Sequence, residues 1–155
     1  MRLRPGTLIS KTCCKALRAF CIVVVCSLIV ACGGDKETKK VSEESKLATE
    51  AFALAETLKN AYVKNSRKVL EKNSTPDAYR ELIGAIKEFE RAELSFTPTW
   101  VDIFDSTVHL TISWKGVWTV NEKTFEERGS ALFVFDGRPL TLVRVERENP
   151  FRQPE

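Results

Sequence analysis

The spacing of apolar residues changes once along this chain, and that change limits the folds open to it. Between residues 47 and 89, apolar side chains recur every three or four positions, which is typical of helices with one buried face. From residue 94 to residue 146 they alternate instead, which is typical of strands in a half-buried sheet. Helices and strands that are segregated along a chain predict an α+β fold, with two helices packed on one face of a curved antiparallel sheet of about four strands.

Start signals and buried stripes place the two predicted helices. Ser42 is a candidate N-cap followed by two acidic residues, and Ser74-Thr75-Pro76-Asp77 combines a hydroxyl cap, a proline for the first turn and an acid. The first helix has a stripe of apolar residues, namely Leu47, Ala51, Leu54, Ala55, Leu58, Ala61 and Tyr62. The stripe of the second helix comprises Tyr79, Leu82, Ile83, Ile86 and Phe89.

Turn signals divide the second half of the chain into a meander. Turns are predicted at Asp105-Ser106, Asn121-Glu122-Lys123 and Asp136-Gly137, while Gly116 and Gly129 fall inside strands and predict bulges or bends. The predicted domain spans residues 42–148, and residues 149–155 are expected to form a loose tail.

The first 31 residues have a composition of their own. Five basic residues and no acidic residue precede Cys32, and residues 19–31 are almost entirely apolar. This basic-then-apolar order is typical of a secretory signal, and a run of about 13 residues is short for a bilayer that needs about 20. We therefore expect a signal peptide over residues 1–31.

The end of the apolar run, Ile29-Val30-Ala31-Cys32, resembles the lipobox of bacterial lipoproteins. The resemblance implies cleavage before Cys32, a lipid on its sulfur, and a flexible tether over residues 32–41. Gly33, where an aspartate would resemble an inner-membrane retention signal, favours the periplasmic face of the outer membrane; in a Gram-positive cell the anchor would lie on the plasma membrane exterior. The alternative is a cleaved signal or short anchor in which Cys32 is incidental.

Charge and cysteine usage exclude several functions. The chain has 24 basic and 21 acidic residues, so removal of residues 1–31 leaves 19 against 21, too little positive charge for a nucleic-acid binder. All five cysteines lie at or before Cys32, and His109 is the single histidine, which argues against an internal disulfide or a structural metal site. Phosphate-loop, dinucleotide and serine-hydrolase motifs are absent from the sequence, so no cofactor is predicted.

The segment Gly129 to Val145 has an apolar strand, a short charged turn and a second strand with basic and apolar alternation. It resembles the closing hairpin of the NTF2-like (cystatin-like) superfamily, and the likeness would cover residues 43–148. The resemblance implies a cone with a pocket between sheet and helices, frequent homodimers through the sheet, and either binding domains or isomerases and dehydratases.

Six side chains are candidates for such a pocket: Tyr62, Tyr79, Trp100, His109, Trp114 and Trp118. Core packing is the simpler interpretation of the three tryptophans, since Trp114 and Trp118 share strand parity; a ligand pocket or protein-binding patch is the other. His109 is expected on the polar side of its strand, and a pocket acid or base aided by Asp102 is the alternative.

Three functions follow as hypotheses. The first is a non-enzymatic, lipid-anchored envelope domain that binds a protein or small apolar ligand with its concave face, with homodimerisation as an option. The second is a small isomerase- or dehydratase-type enzyme, which needs a buried His109 or aspartate beside a polar partner. The third is an assembly chaperone of the pilotin kind, which needs an exposed apolar groove or an unpaired strand edge.

Overall fold

The computed structural model describes residues 42–154, so the predicted signal peptide, Cys32 and the tether up to residue 41 lie outside the described residues, as does residue 155. Three helices come first in this part of the chain: α1 (Glu43–Val63), α2 (Arg67–Lys72) and α3 (Pro76–Ala85). Four strands and a short 3-10 turn follow: β1 (Arg91–Phe104), β2 (Thr107–Val120), β3 (Lys123–Asp136), β4 (Thr141–Arg147) and η1 (Pro150–Arg152). The fold is therefore α+β, with a curved four-stranded antiparallel sheet.

Both predicted helix starts are confirmed. The Ser42 hydroxyl accepts a hydrogen bond from the Ser45 amide at 3.1 Å, and the Thr75 hydroxyl accepts one from the Ala78 amide at 3.3 Å. The short helix α2 is additional to the two helices that the sequence predicted.

The second predicted helix ends earlier than its apolar stripe suggested. Helix α3 stops at Ala85 because Ile86 turns to an extended backbone, with φ −66° and ψ 124°. Ile86 and Phe89 therefore lie outside the helix, although both still pack against the core.

The four strands form a simple meander in the order β1-β2-β3-β4. The predicted tight turns at Asp105-Ser106 and Asn121-Glu122 connect consecutive strands, and positive φ angles of 53° at Asp105 and 50° at Asn121 provide the reversal. Because side chains alternate across a strand, one face of the sheet packs on the helices and the other faces solvent. We call these the inner and outer faces.

The two edges of the sheet differ in their neighbours. Beside β4, the Thr75 amide donates to the Leu142 carbonyl at 2.8 Å, and the Leu142 amide donates to the Asn73 carbonyl at 2.9 Å. The α2–α3 connection thus covers part of that edge. In the described sheet, β1 has β2 on one side and no strand on the other.

Gly116 and Gly129 form no β-bulge in the β2–β3 pair, which corrects that part of the sequence prediction. The β2–β3 register runs through both glycines without a shift. A Cβ atom on Gly116 would lie 2.1 Å from the Trp118 ring, and one on Gly129 would lie 2.8 Å from the Trp114 ring. The missing side chain of each glycine therefore leaves room for a tryptophan ring to pack.

The predicted loose tail is also wrong for residues 149–154. Asn149 is 5% exposed and Phe151 is 1% exposed, and the Asn149 side chain accepts a hydrogen bond from the Phe151 amide at 2.9 Å. The Phe151 ring lies 5.2 Å from the Tyr62 ring and 5.9 Å from the Phe133 ring, measured between centroids. This segment completes the core instead of leaving it.

Candidate functional site

Three of the six predicted pocket residues lie in the core of the inner face. The Trp118 indole donates a hydrogen bond to the Tyr62 hydroxyl at 2.8 Å, and that hydroxyl donates to the Gln153 carbonyl at 3.0 Å. The Trp114 indole donates to the Glu148 carbonyl at 2.7 Å. Burial raises the pKa of Tyr62 to about 12. These polar groups already have partners in the protein, so Tyr62, Trp114 and Trp118 form a structural network.

His109 lies on the outer face, away from that core. It stands opposite Asp102 on β1 and Val134 on β3, and its ring contacts the Phe104 ring edge-on at 5.4 Å between centroids. Its strand neighbours Val108 and Leu110 point to the inner face and are buried. The structure thus separates His109 from the tryptophan network.

Tyr79 belongs to α3, where it is half-buried against the core. It shares no pocket with His109 or Trp100 among those found around residues 42–154. The six residues therefore do not assemble into one site, and the pocket predicted between sheet and helices does not gather them.

Trp100 is the candidate that borders an open surface. Its side chain is 65% exposed, the largest exposure among the bulky apolar residues described. It lines a groove of about 560 Å³ between the first half of α1 and the middle of β1. The wall from α1 comprises Ser45, Ala48, Thr49 and Phe52, and the sheet contributes Pro98, Thr99, Trp100, Val101 and Leu110. We call this the α1–β1 groove.

An irregularity in β1 creates this surface. The β1–β2 register shifts between Pro98 and Trp100, leaving Thr99 without a partner across the ladder. Before the shift Phe96 faces inward opposite Trp114, whereas after it Val101 faces inward opposite Leu110. The shift turns Trp100 away from the core. The sequence carried this signal, since Phe96 and Val101 stand an odd number of positions apart in an alternating strand.

A second recess of about 420 Å³ continues the groove toward the start of α1. It shares Ser45, Ala48 and Val101 with the α1–β1 groove. Its remaining lining residues are Ser42, Glu44, Asp102 and Ile103. From Ser42 to Phe52 the wall is about 15 Å long at ~1.5 Å per helical residue. We call this recess the acidic end of the groove, because its two charged side chains are both carboxylates.

A third recess, of about 310 Å³, lies at the other end of the sheet beside Trp114. Its charged lining residues are mixed in sign, namely Glu127, Arg128, Arg147, Glu148 and Arg152. The Glu148 carboxylate accepts a hydrogen bond from the Ser130 amide at 2.8 Å, and Arg152 lies 3.5 Å from the Glu81 carboxylate. Glu148 and Arg152 thus have partners from the protein itself, which favours a structural role for these two side chains.

Within residues 42–154, no group of three or more His, Cys, Asp or Glu side chains is arranged to hold a metal ion. In the same part of the chain, no helix is both long and apolar enough to cross a membrane.

Fold and surface together define the class of this domain. It is an α+β domain in which an open apolar groove runs between a helix and an edge strand. No protein-family model, no curated protein and no solved structure matches the chain. Inference about function therefore depends on the groove.

Proposed function

We propose that this chain is a lipid-anchored, non-catalytic envelope domain that holds an extended apolar segment of another protein in the α1–β1 groove. The observation that carries the proposal is the exposed Trp100 side chain at the border of a groove of about 560 Å³, beside an edge strand. The groove replaces the concave interior as the binding surface, because Tyr62, Trp114 and Trp118 fill that interior.

Edge strands and apolar grooves recognise extended peptides in a common way. The peptide lies along the strand, its backbone hydrogen-bonds to the free edge, and alternate side chains enter the groove. Pro98 and Thr99, which has no Cα partner in the β1–β2 register, interrupt β1, so the regular stretch next to the groove runs from Trp100 to Phe104. This stretch provides main-chain hydrogen bonds, and the Trp100 ring provides apolar area.

The proposed anchor is the lipid on Cys32, at the periplasmic face of the outer membrane. The nine residues from Gly33 to Val41 connect it to Ser42. Fully extended, such a segment reaches about 30 Å. The groove's acidic end includes Ser42, so the proposed tether enters the domain beside the proposed binding surface.

We also propose that the domain has an NTF2-like arrangement, with homodimerisation through the sheet as an option. Support comes from helices that precede a curved antiparallel meander and cover its inner face.

A binding role is favoured over an isomerase- or dehydratase-type enzyme by the place of His109. Its ring lies on the outer face against Phe104, whereas an acid or base of such an enzyme works inside a pocket. An assembly chaperone of the pilotin kind is one form of the proposal, since it too would hold a client segment.

Acrylamide quenching of tryptophan fluorescence tests the groove, because Trp114 and Trp118 are buried and Trp100 is exposed. An acetylated and amidated peptide of alternating Thr and Val is the probe. We expect the bound peptide to reduce the acrylamide quenching of tryptophan fluorescence in the full chain in detergent. Trp100→Ala should weaken binding of the same peptide, carrying a fluorescein label, by tenfold or more. Phe125→Ala, which alters a 36% exposed ring at the β2–β3 turn, should leave that affinity unchanged. Equal affinity in wild type and Trp100→Ala would remove the groove as the binding surface.

The anchor has a separate test in Cys32→Ser. We expect the wild-type chain to fractionate with membranes and to carry the added mass of acyl chains. The variant should lose that added mass and resist cleavage before residue 32, since the lipid on the sulfur is what the lipobox implies. Identical intact masses for the two chains would contradict the proposed lipid attachment.

A further inference from the structure

The acidic end of the groove indicates what kind of segment the groove accepts, if the proposed function holds. Glu44 and Asp102 are the two charged residues that line it, and both are acidic. By contrast, Glu43 next to them binds Lys46, with the ammonium nitrogen 2.6 Å from the carboxylate oxygen. Within residues 42–154, neither Glu44 nor Asp102 takes part in a salt bridge.

Charge complementarity therefore separates the classes of occupant. A cationic side chain would meet two carboxylates that form no salt bridge within residues 42–154; the titratable side chain that faces Asp102 is His109, opposite it on β2. An anionic lipid surface would be repelled by the same two groups, and this repulsion disfavours the bilayer as the occupant.

A second copy of this chain is disfavoured at the same edge. If two β1 strands paired antiparallel over residues 100–104, a two-fold axis at the centre would place Asp102 opposite Asp102 of the other copy. Like charges directly opposite each other destabilise a strand pair. Pro98 and Thr99 further shorten the stretch that could pair.

We infer that the groove takes an extended segment of about five residues whose alternate side chains are apolar and whose end at Glu44 and Asp102 carries a lysine or arginine. The length follows from the wall of about 15 Å and a rise of ~3.3 Å per extended residue. Trp100 and Phe52 contact the apolar part of the segment, and the two carboxylates select its basic end.

The test compares two labelled peptides that differ only in the sign of the charge on their two terminal residues. Both are acetylated and amidated and alternate Thr and Val; one has Lys at each end and the other Glu at each end, so either orientation places the charge at the acidic end. With the full chain in uncharged detergent, we expect the Lys peptide to bind about tenfold more tightly at about 20 mM salt. The ratio should fall toward two at about 500 mM salt, because salt screens exposed charges.

Variants assign this preference to the two carboxylates. The double substitution Glu44→Gln with Asp102→Asn should bring the ratio of the two affinities close to one. Glu50→Gln removes one carboxylate from an exposed position of α1 outside the groove lining, and it should keep the ratio.

The outcomes separate this inference from the function on which it rests. If both peptides bind equally and Trp100→Ala weakens both, the groove is a binding site and the basic preference is wrong. If neither binds, the proposed function fails as well. If the chain floats with vesicles of phosphatidylethanolamine and phosphatidylglycerol and Trp100→Ala prevents this, the occupant of the groove is a membrane and the inference is wrong. If the chain dimerises as its concentration rises and Trp100→Ala abolishes this, the occupant is a second copy of the chain and the inference is wrong.

Discussion

Gly116→Ala is expected to lower the free energy of unfolding by about 3 kcal/mol, which corresponds to a fall in Tm of about 15 °C for a domain of this size. The added Cβ would lie 2.1, 2.5 and 2.8 Å from three carbons of the Trp118 ring. Trp118 is fully buried and its indole donates to the Tyr62 hydroxyl, so a shift of the ring would disturb both its packing and that hydrogen bond. Urea unfolding followed by circular dichroism measures the loss.

Gly84→Ala is the matched control for that substitution. A Cβ atom on Gly84 would meet nothing within 4 Å, and the residue lies in α3. Alanine is favoured over glycine in a helix by up to about 1 kcal/mol, so this variant should be as stable as wild type or more so. If both alanine variants unfold at the wild-type urea concentration, the packing of Trp118 over Gly116 is not as described.

Tyr62→Phe is expected to lower the free energy of unfolding by about 2 kcal/mol while keeping the size of the ring. The change removes one oxygen that accepts from the Trp118 indole at 2.8 Å and donates to the Gln153 carbonyl at 3.0 Å. Both partners would stay buried without a hydrogen bond, and each unpaired group costs about 1–3 kcal/mol before any relaxation. Tyr79→Phe, at a half-buried position of α3, should change stability by less than about 0.5 kcal/mol.

The same hydroxyl gives a dependence on alkaline pH. Burial raises the pKa of Tyr62 to about 12 from an ordinary value near 10, so folding favours the neutral phenol. Its contribution to stability is complete below pH ~10 and is lost as pH rises toward ~12. The difference in free energy of unfolding between wild type and Tyr62→Phe should therefore shrink over that pH range. A difference that stays constant up to pH 12 would contradict the raised pKa.

Sequence patterns predicted the elements of this fold better than their packing. The caps at Ser42 and Thr75 and the turn at Asn121-Glu122 depend on local chemistry, and all are confirmed. The reason for glycine at positions 116 and 129 is not local, because a glycine in a strand has the same sequence pattern whether it forms a bulge or accommodates a ring. The position of the tryptophan rings decides between these, and only the assembled sheet supplies it.

The candidate site was predicted in part for the same reason. Aromatic residues near one another in sequence suggested a common pocket, yet one register shift at Thr99 turns Trp100 outward while Trp114 and Trp118 stay inside. Residues 149–154 were misjudged because five of them are polar or proline in sequence; the single aromatic among them, Phe151, was the signal for burial.

The place of Phe151 has a consequence for how this domain is made. Its ring contacts rings that belong to α1, β1 and β3, which are far apart along the chain. Whether the polypeptide emerges from a ribosome or from a translocation channel, these three ring contacts cannot form until residue 151 has emerged. The part of the core around Phe151 is therefore completed last in the order of chain delivery.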